Sequence, residues 1–127
     1  GAYILGDRHE NPDIILMASG SEVQHIFNAK KILEGKGYKV QALSFPCFEI
    51  FEKQSREYKE KVLPASCVKR LAVEAGSDYS WYKYTGSYGD IISMDTFGAS
   101  APGDLLMEKF GFTDENVINR ALEMLKK

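Results

Sequence analysis

KRLAVEAGSDYSWYKYTGSYGDIISMDTFGASAPGDLLMEKFGF, running from Lys69 to Phe112, is the stretch whose reading decides the fold. Arg70–Ala75 and Asp90–Met94 are short apolar runs rich in Val, Ile and Leu and bounded by Gly or charge, the pattern of buried strands. Between them lie Tyr79, Trp81, Tyr82, Tyr84 and Tyr88, too close together for two helices and too bulky for a plain loop. Phe97 to Pro102 then closes the second strand and opens a helix expected from about Pro102 to Lys109. Ser100 is placed to accept from the free amides of its first turn, and Pro102 sits where no amide partner is needed. Strand, aromatic turn, strand and helix make an α/β unit.

The segments upstream repeat that alternation. Ala2–Leu5 is a short apolar segment, followed by a polar turn. Ile14–Ala18 is a continuous apolar run, suited to a central strand covered on both faces. Ser19 and Glu22 stand three apart, the spacing of a capping box. Val23, Ile26, Phe27, Ala29 and Leu33 then form one helical stripe, with Lys30, Lys31, Glu34 and Lys36 mostly outside it. Gly35 and Gly37 supply a left-handed stop. Lys39–Phe45 reads as the next strand, reached by a right-handed crossover. Glu49–Val62 reads as helical and broken near Gln54-Ser55, with Ile50, Phe51, Tyr58 and Val62 as anchors.

Thr113, Asp114 and Glu115 cap a last helix, placing carboxylates at its positive end. Val117, Ile118, Ala121, Leu122 and Leu125 are its expected buried face. Four substantial strands and one short one among four or five helices predict a three-layer α/β/α sandwich.

Composition narrows the function classes. A chain of 127 residues fits a single domain that buries roughly two-thirds of its unfolded surface. With 44% apolar and 27% charged residues, a core is expected and disorder is not. The net charge of −2, with both signs interspersed, offers no basic face for nucleic acid. No apolar run approaches a membrane span, so no membrane partner is expected. Cys47 and Cys67 lack a CxxC spacing and a neighbouring His, so they read as free thiols of a reducing cytoplasm rather than zinc ligands. The start at Gly1-Ala2-Tyr3, without Met, reads as a domain cut from a longer polypeptide or as an expression scar.

Few residues invite chemistry. The turn of Ser19, Gly20 and Ser21, between a strand and a helix N-terminus, is the best anion candidate. It lacks a second glycine at phosphate-loop spacing and carries Glu22, which favours a helix cap. Glu74, at a strand's carboxyl end, is the most interesting carboxylate, because open α/β sheets place ligands there. No nucleophile or base accompanies it, so the structural role is preferred. His9 and His25 are isolated and read as solvated. Trp81, Tyr82 and Tyr84 either plug this domain's own core or face a sister domain or subunit. The second reading expects at least one of the three to be substantially exposed.

VEAGSDYSWYKYTGSYGDI and DTFGASAPGDLLMEKFGFT, together with GAYIL, MASGSEV, SFPCFEIFEKQ and EYKEKVLP in that order, resemble the C-terminal domain of transketolases. The resemblance covers nearly the whole chain, residues 1–127. It departs at Ser19, where Thr is usual, at Ser93, often Gly, and at Gly103, often Ala. It implies a five-stranded, mostly parallel mixed sheet with the first strand antiparallel. It also implies a full-length homodimer that transfers two-carbon ketol units between sugar phosphates. There, thiamine diphosphate and a divalent metal, magnesium or calcium, lie between the first two domains of opposite subunits.

By the same resemblance the third domain is architectural, so no catalytic, cofactor-binding or metal-ligating residue is assigned. The family's metal motif, Gly-Asp-Gly with an Asn further on, is not matched at Gly89-Asp90 and Asn116, because Ile91 replaces the second glycine. Two alternatives stay open. One is the last domain of a related thiamine-diphosphate enzyme, which the WYKY and FGASAP motifs oppose. The other is a free-standing regulatory module for a nucleotide or small anion.

Overall fold

The computed structural model describes residues 2–46, 48–74, 81–93 and 114–126, and of Ser21, Tyr82 and Ser93 the backbone alone. Five strands form one sheet: β1 Tyr3–Leu5, β2 Ile14–Ala18, β3 Val40–Ser44, β4 Arg70–Glu74 and β5 Asp90–Ser93. Their order is β1-β3-β2-β4-β5. β1 runs antiparallel to β3, with Tyr3 opposite Ser44, and the other pairs are parallel. Leu16 sits opposite both Ala42 and Leu71, which makes β2 the centre of the sheet. The mixed sheet agrees with the expectation in both order of elements and strand direction.

Side-chain alternation divides the core in two. Ile14, Leu16, Ala18, Val40, Ala42, Leu71, Val73 and Ile92 face helices α1 (Val23–Gly35) and α5 (Asp114–Leu125). Ile15, Met17, Leu43 and Ala72 face the opposite layer, which includes α2 (Phe48–Glu52), α3 (Arg56–Val62) and α4 (Tyr82–Thr85). Every residue of β2 is fully buried, so its continuous apolar run serves both faces at once. Each large apolar side chain so buried contributes about 1.5–3 kcal/mol. Helices on both sides of the sheet complete the three layers.

Several expectations are corrected in detail. Ser19 makes no side-chain bond to its helix, so the capping box does not form, and its hydroxyl is engaged elsewhere. Lys30 lies inside the α1 stripe and is buried, its stem covering the core while Nζ donates to Val40 O at 2.7 Å and Glu34 at 2.8 Å. Gly35 remains helical, and Gly37 alone, at φ +99°, makes the left-handed stop. Ile50 is half exposed rather than an anchor of α2. On α5, Met124 is buried with Val117 and Ala121, while Ile118, Leu122 and Leu125 are only partly covered. The break between α2 and α3 falls as expected, with Ser55 Oγ accepting from Tyr58 N at 3.1 Å as the new cap.

Two tethers fix the ends of these elements. Arg70 donates to three carbonyls, Cys67 O, Tyr84 O and Pro64 O, and so joins the start of β4 to the end of α4. Tyr58 Oη donates to Ala2 O at 2.6 Å, holding the entry to the short edge strand β1. Tyr79, Cys47 and the expected turn and helix between Phe97 and Lys109 lie outside the described residues.

Candidate functional site

Chain order against strand order locates the place where a sheet of this kind leaves a crevice. From β2 the chain moves one way to β3 and then crosses back to β4 on the other side. The switch point therefore lies between the carboxyl ends of β2 and β4, where doubly wound sheets bind ligands. Ser19 follows β2 and Glu74 ends β4, and the structure brings them together: Ser19 Oγ donates to Glu74 Oε2 at 2.8 Å. Trp81 Nε1 donates to the same oxygen at 3.2 Å. Gly20, at φ +62°, turns the chain here into the short 3-10 turn Gly20–Glu22 that leads into α1. The Glu22 side chain is buried at the same turn.

The expected anion candidate is thus bordered by two carboxylates, and its one described hydroxyl, Ser19, already serves Glu74. The Ser21 side chain lies outside the description. Glu74, singled out in the sequence only for its position, is the residue on which the local hydrogen bonds converge.

Two of the three rings Trp81, Tyr82 and Tyr84 follow the core reading, and the expectation that at least one is exposed rests on Tyr82 alone. Trp81 is fully buried and Tyr84 is 5% exposed. Both pack on Phe45 and Phe48, with Trp81 edge-on to Phe48 at 4.8 Å and Tyr84 stacked on it at 5.2 Å. The physical reason is that Phe45 and α2 bring three further aromatic rings over this end of the sheet, a partner surface not apparent from the turn alone. The side chain of Tyr82 is outside the description. Tyr88 is the outward ring, 77% exposed. With half-exposed Val68 it lines a hollow of about 410 Å³, bounded also by Lys69, Gly89, Asp90 and Met124 at the opposite end of the sheet.

Several other ionisable groups are committed to structure. Glu52, not noticed in the sequence, accepts from Tyr84 Oη at 2.8 Å and pairs with Lys83 at 2.9 Å and Lys59 at 3.5 Å. The bonds from Lys83 and Tyr84 bring its carboxyl down to about 2. Burial, reinforced by Glu52, pushes the Tyr84 phenol up. His9 pairs with Glu34, and His25 with Asp114 at the start of α5, so neither is merely solvated. Burial pushes the Glu34 carboxyl up, but hydrogen bonds from Lys30 and His9 outweigh it and hold the group below its usual range.

Cys67 is a free, buried thiol pushed up by desolvation, a poor nucleophile. Asp90 accepts from Ile91 N and from Arg120, each at 2.8 Å. Among the described residues no group of three or more His, Cys, Asp or Glu could hold a metal ion.

Known proteins agree with this architecture. A family model described as the transketolase-like TK C-terminal domain matches residues 1–113. A transketolase of Aquifex aeolicus is 52% identical over 97% of this chain, and one of Staphylococcus aureus is 48% identical over 98%. The match covers only 18% and 19% of those relatives' lengths. A solved transketolase from Pichia stipitis, in complex with sedoheptulose-7-phosphate, superposes with a TM-score of 0.86 at 38% identity. It covers 99% of this chain, which in turn spans 18% of that structure. The mixed sheet, its two-sided core and these matches agree, and the chain belongs to the transketolase-like C-terminal domain family.

Proposed function

We propose that this chain works as the last domain of a transketolase, a transferase that moves a two-carbon ketol unit between sugar phosphates. The observation that carries the reading is the 52% identity to a named transketolase along almost the entire chain. Thiamine diphosphate, with magnesium or calcium, serves the full-length enzyme from its other domains. Among the described residues no group of three or more His, Cys, Asp or Glu is gathered for that metal, which supports assigning it to the other domains. Its role is architectural: a rigid, two-sided sandwich that supports the neighbouring domain and a homodimer in the cytoplasm. The inward commitment of Ser19, Glu74 and Trp81 supports that role, because these groups are turned onto one another.

The test compares the full-length protein, the same protein lacking this domain, and the isolated chain. Ketol transfer is measured in a coupled assay, and thiamine diphosphate binding by calorimetry with magnesium. The full-length protein is expected to transfer ketol units and the isolated chain to give no heat. An inactive full-length protein overturns the family activity, and micromolar cofactor binding by the isolated chain overturns the architectural role.

A further inference from the structure

At the carboxyl ends of β2 and β4 two donors meet one carboxylate oxygen. The Ser19 hydroxyl and the Trp81 indole N–H converge on one point from different elements, 2.8 Å and 3.2 Å from the same oxygen. Gly20, with φ +62°, delivers the chain at that point into the N-terminal turn leading to α1, whose orientation favours negative charge. One donor is a fully buried ring, so the site is a fixed part of the core. It lies at the topological switch of the sheet, the position where related architectures bind external ligands. Here the group at that position is Glu74, contributed by the chain itself.

We infer that the switch point is a carboxylate-binding site whose resident ligand is the Glu74 side chain, so that an external small carboxylate enters only when that side chain is shortened. Glu22 is buried at the same turn. Among its described residues the intact domain thus carries its own carboxylate at the position where such crevices take a ligand.

The decisive variant is Glu74→Ala, which removes the two carbons that acetate supplies. Trp81 is the only tryptophan of the chain, so its indole N–H gives a single, assignable NMR signal from within the site. Acetate should raise the melting temperature of Glu74→Ala saturably, by about 3 °C or more near saturation, and return the indole signal toward its wild-type position. Matched sodium chloride should do neither. Wild type and Glu74→Gln should respond to acetate by under about 1 °C, as a general salt effect. An absent response in Glu74→Ala, or an equal one in wild type, overturns the inference. If Glu74→Ala does not fold, Ser19→Ala decides. Removing the hydroxyl that shares Oε2 must shift the wild-type indole signal, and an unmoved signal overturns the shared site.

Discussion

Tyr84 Oη donates to Glu52 Oε1 across 2.8 Å, tying the short helix α4 to α2 above the aromatic layer. Lys83 and Lys59 approach the other oxygen of the same carboxylate at 2.9 and 3.5 Å, so Glu52 gathers α2, α3 and α4 at one point. An acceptor that serves a phenol and two ammonium groups must stay ionised to do so.

That requirement gives a pH dependence with a definite sign. The Glu52 carboxyl lies at about 2 in the folded chain against an ordinary 4.5, so its contribution is complete above the ordinary value. It is lost as pH falls from there through about 2. Glu52→Gln should therefore flatten the acid limb of stability in that window. Because the group is about a third exposed, the gain it loses at neutral pH should stay within about 1 kcal/mol. Urea midpoints measured across the acid range check this; parallel curves for wild type and variant would refute it.

Trp81→Ala distinguishes a core ring from a contact ring. The indole is fully buried and its N–H serves Glu74, so the substitution opens a cavity and removes a donor from a carboxylate. A loss of about 3–5 kcal/mol is expected in the chain by itself. A change under about 0.5 kcal/mol would mean that the ring does its work against another surface.

Gly89→Ala should be among the most damaging single-methyl additions. A Cβ at position 89 would stand 2.7 Å from Arg70 O and closer still to Thr85 O, both backbone atoms with no rotamer to escape into. Overpacking of this kind costs about 1–3 kcal/mol, at the upper end where backbone must move. Gly35→Ala is the control: nothing lies within 4 Å of its added carbon, and the site is helical. It should stabilise by about 0.5–1 kcal/mol. Thermal melts of the two variants should move in opposite directions.

Lys30→Met keeps the buried stem and removes the ammonium. Val40 O loses its lysine donor, Glu34 loses one partner and keeps His9, and Asp7 O loses a longer contact at 3.4 Å. The expected cost is about 1–3 kcal/mol, the range for stranding a buried acceptor. Hydrogen exchange should quicken across the turn after β1, where His9 also holds Glu34 and Gln41. Unchanged stability would show that water satisfies those groups equally well.

Local sequence was enough wherever burial repeats with a fixed period. Ile14–Ala18 announces a strand covered on both faces, the stripe of Ile26, Ala29 and Leu33 announces α1, and Pro46, Ser55 and Gly37 mark the stops. The five-stranded mixed sheet and the antiparallel β1 came with the family resemblance, carried by motifs spread along the chain, whereas the strand order is read only from the assembled sheet. What the tertiary structure alone decided are pairings between distant residues.

Ser19 chooses Glu74, 55 positions away, over its own helix, because the switch between β2 and β4 places that carboxylate within 2.8 Å. Lys30 is buried because Val40 O and Glu34 come within reach of its ammonium, which helical periodicity does not encode. Trp81 and Tyr84 turn inward because Phe45 and Phe48 meet them over the sheet, and Tyr88 is left facing water. Periodicity reports which side of an element is apolar. Which polar groups are satisfied, and by whom, depends on distances set only once the sheet has assembled.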